Sequence, residues 1–322
     1  MKTLVTGGAG FIGSHLCKKL LDRGDLVICI DNFNDYYSPD LKRDNIAPFL
    51  DNPNFTLIEG DIRDKQLIDR IFAEQNLTHI AHLAAMAGPR HSMKDPQNYE
   101  DVNMMGTINL LQAAVNNNNP DFFFASTSSV YGLTPTPWSE DARTDTPLSV
   151  YASTKKAGEL TCFTFHRTYN LPIRIARFFT VYGPHGRPDM TPRLFVDAMV
   201  KGDPVTLYNG GVGVFRDWTY VDDIVGGITA MLDSDIEFDT INLGNSDPIE
   251  LIKFVNTIEN ITGLKANIQT KPLPPADPTK TFADITKAKN LLGYEPQTHV
   301  EQGLKNFWDW YKQTNQSLST KS

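Results

Sequence analysis

Thr3-Leu-Val-Thr-Gly-Gly-Ala-Gly-Phe-Ile-Gly13 is a β-prone run that stops at three glycines spaced Gly7-x-x-Gly10-x-x-Gly13. An apolar helical pattern then begins with Phe11, Ile12 and Leu16. A strand, a tight glycine turn and a helix N-terminus together make an anion site. Backbone N–H groups point outward there, the helix dipole favours negative charge, and absent side chains admit a pyrophosphate. Taken alone, the stretch also reads as an ordinary glycine-rich turn. Asp31 decides between the two. It closes the next apolar run, Leu26-Val-Ile-Cys-Ile30, 18 positions after Gly13, near the ~20 expected for the acid that binds a dinucleotide's adenosine ribose. Asn32 joins it in that expected site. A carboxylate there repels a 2′-phosphate, and no Arg or Lys follows until Lys42, so NAD is expected over NADP.

With 322 residues, 40% apolar and 21% charged, the chain has the composition of a globular protein of one or two domains. The first strand begins at once, which leaves no room for a signal peptide. No apolar run approaches the ~20 residues that span a bilayer. Cys17, Cys29 and Cys162 sit in apolar patterns without metal-like spacing. They read as reduced core thiols of a cytoplasmic protein, with no metal expected. A net charge of −8 argues against nucleic acid as a partner.

Strand-like runs end at Thr6, Asp31, Glu59, Leu83, Ser126 and Phe178. The helical patterns between them imply an α/β fold with a doubly wound parallel (Rossmann) sheet. Asp61-Ile62 follows the third strand, where an Asp reaches an adenine amino group; capping of the helix near Asp64 is an equally good reading. His79-Ile-Ala-His82 leads into Leu83-Ala84-Ala85, small enough for close approach of a dinucleotide or for tight packing. His82 alone reads as a satisfied core histidine. Long helices are expected over Asn98–Val115 and from Tyr151 to about Tyr169; two such helices on one flank suit a homodimer seam, and burial within the monomer explains the same pattern. Between them, the fifth strand releases Thr127-Ser128-Ser129 at the sheet edge where ligands gather. Tyr151 and Lys155 are four apart on one helix face, so the ammonium is expected beside the phenol. A cation there stabilises a phenolate, making Tyr151 a candidate general base.

TGGAGFIG, Asp31, Asp61-Ile62, HLAA, STSSVYG, Tyr151-xxx-Lys155 and Arg177-Phe-Phe-Thr-Val-Tyr-Gly-Pro184 resemble an extended short-chain dehydrogenase/reductase over nearly the whole chain. Within it, the chain is similar to the nucleotide-sugar epimerases and dehydratases. The resemblance implies Tyr151 as catalytic base, Lys155 as orienter of NAD, Thr127 as hydroxyl partner and Asn103 as a cofactor-proximal asparagine. It implies a dinucleotide domain over residues 1–177, rejoined by about 218–243, and a mainly substrate-binding domain over 178–322.

Sugar dehydratases of this family carry an Asp-Glu pair after the Thr, and the UDP-glucuronate decarboxylases usually carry a glutamate in this segment. Ser128-Ser129 replaces acid with hydroxyls that suit a substrate carboxylate. Asp35-Tyr-Tyr-Ser-Pro39-x-x-Lys42-Arg43 and Gly186-Arg-Pro-Asp-Met190 resemble the UDP-glucuronate 4-epimerases. That likeness implies Thr180 near the carboxylate, Arg187 as a candidate for anion recognition, Arg216 on the diphosphate and Asp277 on the uridine ribose. From the residues alone, a surface ion pair is the lesser reading of Arg216, and Pro-Asp-Pro is only a rigid turn. Pro89-Arg90 departs from the usual Val-Arg, which leaves the aim of Arg90 open. The expected function is NAD-dependent 4-epimerisation of UDP-glucuronate to UDP-galacturonate. The alternatives are a UDP-glucose 4-epimerase, a decarboxylase or a non-catalytic dinucleotide sensor.

Overall fold

The computed structural model describes residues 1–273 and 277–319, with side chains through Thr314. Strand and helix alternate from the start: β1 (Lys2–Thr6), α1 (Phe11–Asp22), β2 (Leu26–Asp31), α2 (Pro39–Ile46), β3 (Phe55–Glu59), α3 (Lys65–Gln75) and β4 (His79–His82). Then come α4 (Pro89–Ser92), α5 (Pro96–Glu100), α6 (Gly106–Asn116), β5 (Asp121–Thr127), α7 (Val150–Tyr169) and β6 (Ile173–Phe178). The remainder is β7 (Thr180–Tyr182), α8 (Arg193–Lys201), β8 (Pro204–Tyr208), β9 (Phe215–Tyr220), α9 (Val221–Leu232) and β10 (Phe238–Leu243). It closes with β11 (Pro248–Glu250), α10 (Leu251–Thr262), β12 (Asn267–Lys271), α11 (Thr286–Leu292) and α12 (Val300–Ser319).

Seven parallel strands form the central sheet in the order β10-β6-β5-β4-β1-β2-β3. The order reverses between β1 and β4, which opens a crevice at the carboxyl ends of those strands. Both faces are covered, so inner strands such as β5 bury apolar residues on both faces rather than alternating. In β5, Phe123 packs into one core with Leu16, Leu20 and Ile241, while Phe122 and Phe124 pack into the other with Leu4, Ile80 and Ile173. Beyond this sheet lie a three-stranded sheet, β11-β9-β7, and a parallel pair, β12-β8.

The helix expected over Asn98–Val115 is interrupted. A π-helical turn, Asp101–Met105, separates α5 from α6. At the junction the Thr107 hydroxyl donates to the Asn103 carbonyl at 2.6 Å, and a Cβ on Gly106 would stand 2.4 Å from the Ile62 side chain. The helix expected at Tyr151 starts at Val150, where the Ser149 hydroxyl accepts from the Ala152 amide at 3.2 Å. β4 stops one residue before Leu83, and β5 runs one residue past Ser126.

Packing at the glycine turn leaves no freedom. A Cβ on Gly13 would lie 2.2 Å from the Gly7 carbonyl oxygen and 2.8 Å from Gly8 Cα, so strand and helix can pack this closely only without it. Gly226, in α9, is exposed with nothing within 4 Å of a built Cβ. Gly13→Ala is expected to lose about 1–3 kcal/mol or more to overpacking. Gly226→Ala is expected to gain about 0.5–1 kcal/mol from helix propensity. Urea midpoints of the two variants check both signs.

Candidate active site

The crevice at the strand-order reversal opens into a cavity of about 840 Å³. At one end Gly7 takes φ +68°, and its missing Cβ would lie 2.9 Å from Ala84 Cα. Gly10 caps α1 without any side-chain bond. A Cβ on Gly10 would meet within 4 Å only the Gly7 carbonyl, at 3.1 Å, and the space beside it belongs to the cavity. Phe11, Ile12 and Gly13 line the same wall, as do Asp31, Asn32, Asp61, Ile62, Leu83, Ala84 and Ala85.

Asp31 accepts from the Ala9 amide at 3.2 Å and the Phe33 amide at 2.9 Å. Burial nonetheless pushes its carboxyl above the ordinary value. Asp61 faces Arg63 and receives the Asn32 amide at 2.9 Å. These bonds outweigh its burial and hold it near a pKa of about 2. The helix cap belongs to Asp64, which accepts from the Leu67 amide, so the capping alternative for this segment falls to the next Asp. Distance along the chain misleads at one point. The α2 turn brings Lys42 to the cavity wall, where its ammonium donates to the Asn34 carbonyl and side-chain oxygens, both at 2.9 Å. Arg43 pairs with Glu59 instead.

In the middle of the cavity, Thr127, Ser128, Ser129, Tyr151, Lys155 and Thr180 share one wall. The Thr127 hydroxyl donates to the Ser129 hydroxyl and accepts from the Ser129 amide, both at 3.2 Å. Burial raises the Tyr151 pKa, opposed by the Thr127 hydroxyl and by the charge of Arg187. A buried ammonium needs an acceptor, and Lys155 takes the Ala125 carbonyl at 2.9 Å. The Arg187 charge also favours the Tyr151 phenolate. Burial pulls Lys155 down to about 8.

Asn103 stands one layer behind this wall. It accepts from the Met86 amide at 2.8 Å and donates to the Met86 carbonyl and the Thr154 hydroxyl, both at 3.0 Å. His82 is buried between the Thr6 and Thr107 hydroxyls, at 2.8 and 2.9 Å. It is a satisfied core residue, as its sequence setting implied.

Arg90, Arg216 and Asp277 gather at the far end, while Arg187 lies nearer Tyr151. Arg90 follows Pro89 at the start of α4 and reaches Asp277 at 2.8 Å while stacking on Tyr208. Pro89 therefore leaves Arg90 aimed across the mouth of the cavity. Arg216 donates to the Phe215 carbonyl at 2.8 Å and makes no ion pair among the described residues. Burial and the neighbouring Arg90 charge both lower its pKa. Arg187 grips Asp189 through two bonds, 2.9 and 2.7 Å, and lies over the Tyr36 ring. Tyr36, Lys42 and Asp189 are cavity residues that the sequence assigned no role. Their segments, Asp35–Arg43 and Gly186–Met190, had stood out as motifs, which was the signal available.

Residues 4–307 match the family described as GDP-mannose 4,6 dehydratase. The chain belongs to that family, among the extended short-chain dehydrogenase/reductases. UDP-glucuronate 4-epimerase 1 of Arabidopsis thaliana is 42% identical over 97% of this chain and 76% of its own length. The UDP-glucuronic acid 4-epimerase of Bacillus cereus, solved with UDP-glucuronic acid and NAD, superposes with a TM-score of 0.91. It shares 38% identity over 98% of this chain and all of that one. The UDP-glucose 4-epimerase of Thermotoga maritima, solved with UDP-glucose, reaches a TM-score of 0.89 at 30% identity, over 98% of this chain and all of that one. This family member holds its glycine turn, its hydroxyl segment and its arginines around one continuous space.

The Lys155 ammonium offers a direct test of that space. Burial disfavours its charged form, so in the cofactor-free protein it should titrate near 8. A ¹³C-labelled lysine NMR titration should show one resonance with that midpoint, absent from Lys155→Met. A midpoint near the ordinary 10.5 would contradict the burial.

Proposed function

We propose that this chain is an NAD-dependent 4-epimerase of UDP-hexuronic acids, interconverting UDP-glucuronate and UDP-galacturonate. The observation that carries the reading is the hydroxyl wall of Thr127, Ser128, Ser129 and Thr180 together with the state of the cavity's carboxylates. Among the described lining residues these are Asp31, Asp61, Asp189 and Asp277, and each is engaged. Asp31 holds backbone amides, Asp61 holds Arg63, Asp189 holds Arg187 and Asp277 holds Arg90. None belongs to the hydroxyl segment, so carbon 5 has no base there. Four hydroxyls suit a carboxylate that an Asp or Glu would repel.

The glycine end fits NAD. The uncapped first turn of α1 and the open side of Gly10 leave room for a pyrophosphate, and Asp31 would take the adenosine ribose hydroxyls. Asp61 and Ile62 would border the adenine, and Leu83, Ala84 and Ala85 the nicotinamide half. Asn103 would act through the Met86 backbone. Lys42 and Arg43 are committed to Asn34 and Glu59, which favours NAD over NADP. Bound NAD would supply the acceptor, and later the donor, of a hydride at carbon 4.

The chain's own residues would do the rest. Tyr151 would take the proton from the 4-hydroxyl as Thr127 orients it, with Arg187 favouring the phenolate, and would return the proton after the sugar turns over. Lys155 would hold the Tyr151 helix against β5 and orient the cofactor ribose. Arg216, Asp277 and Arg90 would anchor UDP, so that only the hexose moves; the Arg90–Asp277 pair must then open to admit it. Residues 1–177 with α9 and β10 would form the cofactor half, and most of residues 178–322 the substrate half.

A homodimer fits the exposed Met105 just before α6 and Leu160 and Phe163 of α7. Three buried free thiols suit a reducing, cytoplasmic setting. No described helix is long and apolar enough to cross a membrane.

Incubation with UDP-glucuronate and with UDP-glucose, separately, tests the reading. UDP-galacturonate should form from the first, with little turnover of the second. Tyr151→Phe should lower that turnover by roughly 10²–10⁴-fold. Equal use of UDP-glucose, or a UDP-pentose as main product, would contradict the assignment.

A further inference from the structure

Behind the hydroxyl wall lies a buried ion pair that none of these roles uses. Arg177 of β6 reaches both oxygens of Glu159 on α7, Nε to Oε1 at 2.9 Å and Nη2 to Oε2 at 2.8 Å. Each side chain is only 4% exposed. Lys156 adds a second cation to Glu159 at 3.0 Å. Burial pushes the carboxyl up, but the Arg177 bonds and charge pull it below the ordinary value, so Glu159 is ionised.

What the pair holds is specific. The Ser126 hydroxyl donates to Glu159 Oε1 at 2.6 Å. Arg177 Nη1 donates to the Tyr131 hydroxyl at 3.0 Å, and Tyr131 donates onward to Asn242 at 2.7 Å. Ser126 and Tyr131 bracket residues 127–130, which carry Thr127, Ser128 and Ser129. Register places Arg177 directly beside Ser126 on the neighbouring strand. On the other side, Tyr151, Lys155 and Glu159 recur every four residues along one face of α7. Successive turns of that face meet the end of β5 at the Ala125 carbonyl and the Ser126 hydroxyl.

We infer that the Glu159–Arg177 pair is a positioning device that sets the hydroxyl segment against Tyr151, and thereby keeps the substrate carboxylate in an unreactive orientation. The inference rests on the epimerase reading above. Oxidation at carbon 4 makes the sugar a β-keto acid. If its carboxylate swings so that the carbon 5–carbon 6 bond stands parallel to the π orbitals of the ketone, that bond breaks. Its electrons pass into the enolate, carbon dioxide leaves, and solvent supplies a proton at carbon 5. A rigid hydroxyl wall prevents that alignment. Buried ion pairs add little net stability but can fix geometry, which is the part assigned to this one.

Removing Arg177 or Glu159 outright would strand a buried charge, so the test uses the two links instead. Ser126→Ala and Tyr131→Phe each cut one tether and leave the ion pair intact. Each should lower turnover of UDP-glucuronate by about 10-fold, short of the ~10² of an ångström-scale misplacement. UDP affinity by calorimetry should stay within about twofold, and the UDP-pentose share of product should rise severalfold over wild type. Wild-type turnover, an unchanged pentose share, or a parallel loss of UDP affinity would each overturn the assignment. Wild-type protein inert toward UDP-glucuronate would instead sink the proposed function. Turnover against UDP affinity would then be compared on whichever UDP-sugar it does convert.

Discussion

The 2.9 Å bond from the Lys155 ammonium to the Ala125 carbonyl ties α7 to the end of β5, and the site depends on that junction. Tyr151 stands on the turn before Lys155, and Thr127 stands two residues beyond Ala125. The bond therefore fixes a helix-borne phenol and a strand-borne hydroxyl in one frame. Its location is set by the sheet: the order reversal between β1 and β4 opens the crevice beside the end of β5, so both groups line the same cavity as the glycine turn.

Most of this was legible in the sequence because it is local. Glycine spacing, an acid at the end of the second strand and a four-residue repeat on a helix are short-range patterns with one geometric meaning each. Partners distant in the chain were not legible. The i, i+4 rule placed Lys155 on the right face, but a long side chain chooses its acceptor from the tertiary surroundings, and a buried ammonium chose a carbonyl. Lys42 looked remote from Asp31 until α2 folded it back to the same wall. Arg90 and Asp277 gave no sequence sign of their pairing, since nearly 190 positions part them. The turn at Asp101–Met105 was hidden because a helical apolar pattern does not register one widened turn.

The chemistry follows from what the cavity lacks as much as from what it holds. A sugar oxidised at carbon 4 is open to loss of an acidic hydrogen at carbon 5 or, for a uronate, to loss of carbon dioxide. Hydroxyls can grip a carboxylate without deprotonating carbon 5, and the cavity's acids are all committed to cations or amides. The wall thus permits removal and return of hydride while withholding the groups that the competing reactions need.

That balance is the centre of the account, and an isotope at carbon 4 reports on it directly. UDP-glucuronate carrying deuterium at carbon 4 should yield UDP-galacturonate that keeps the deuterium at carbon 4, in ordinary water, with none lost to solvent. Product carrying protium at carbon 4 would mean that the configuration changes by proton exchange rather than by hydride removal and return, and would contradict the account.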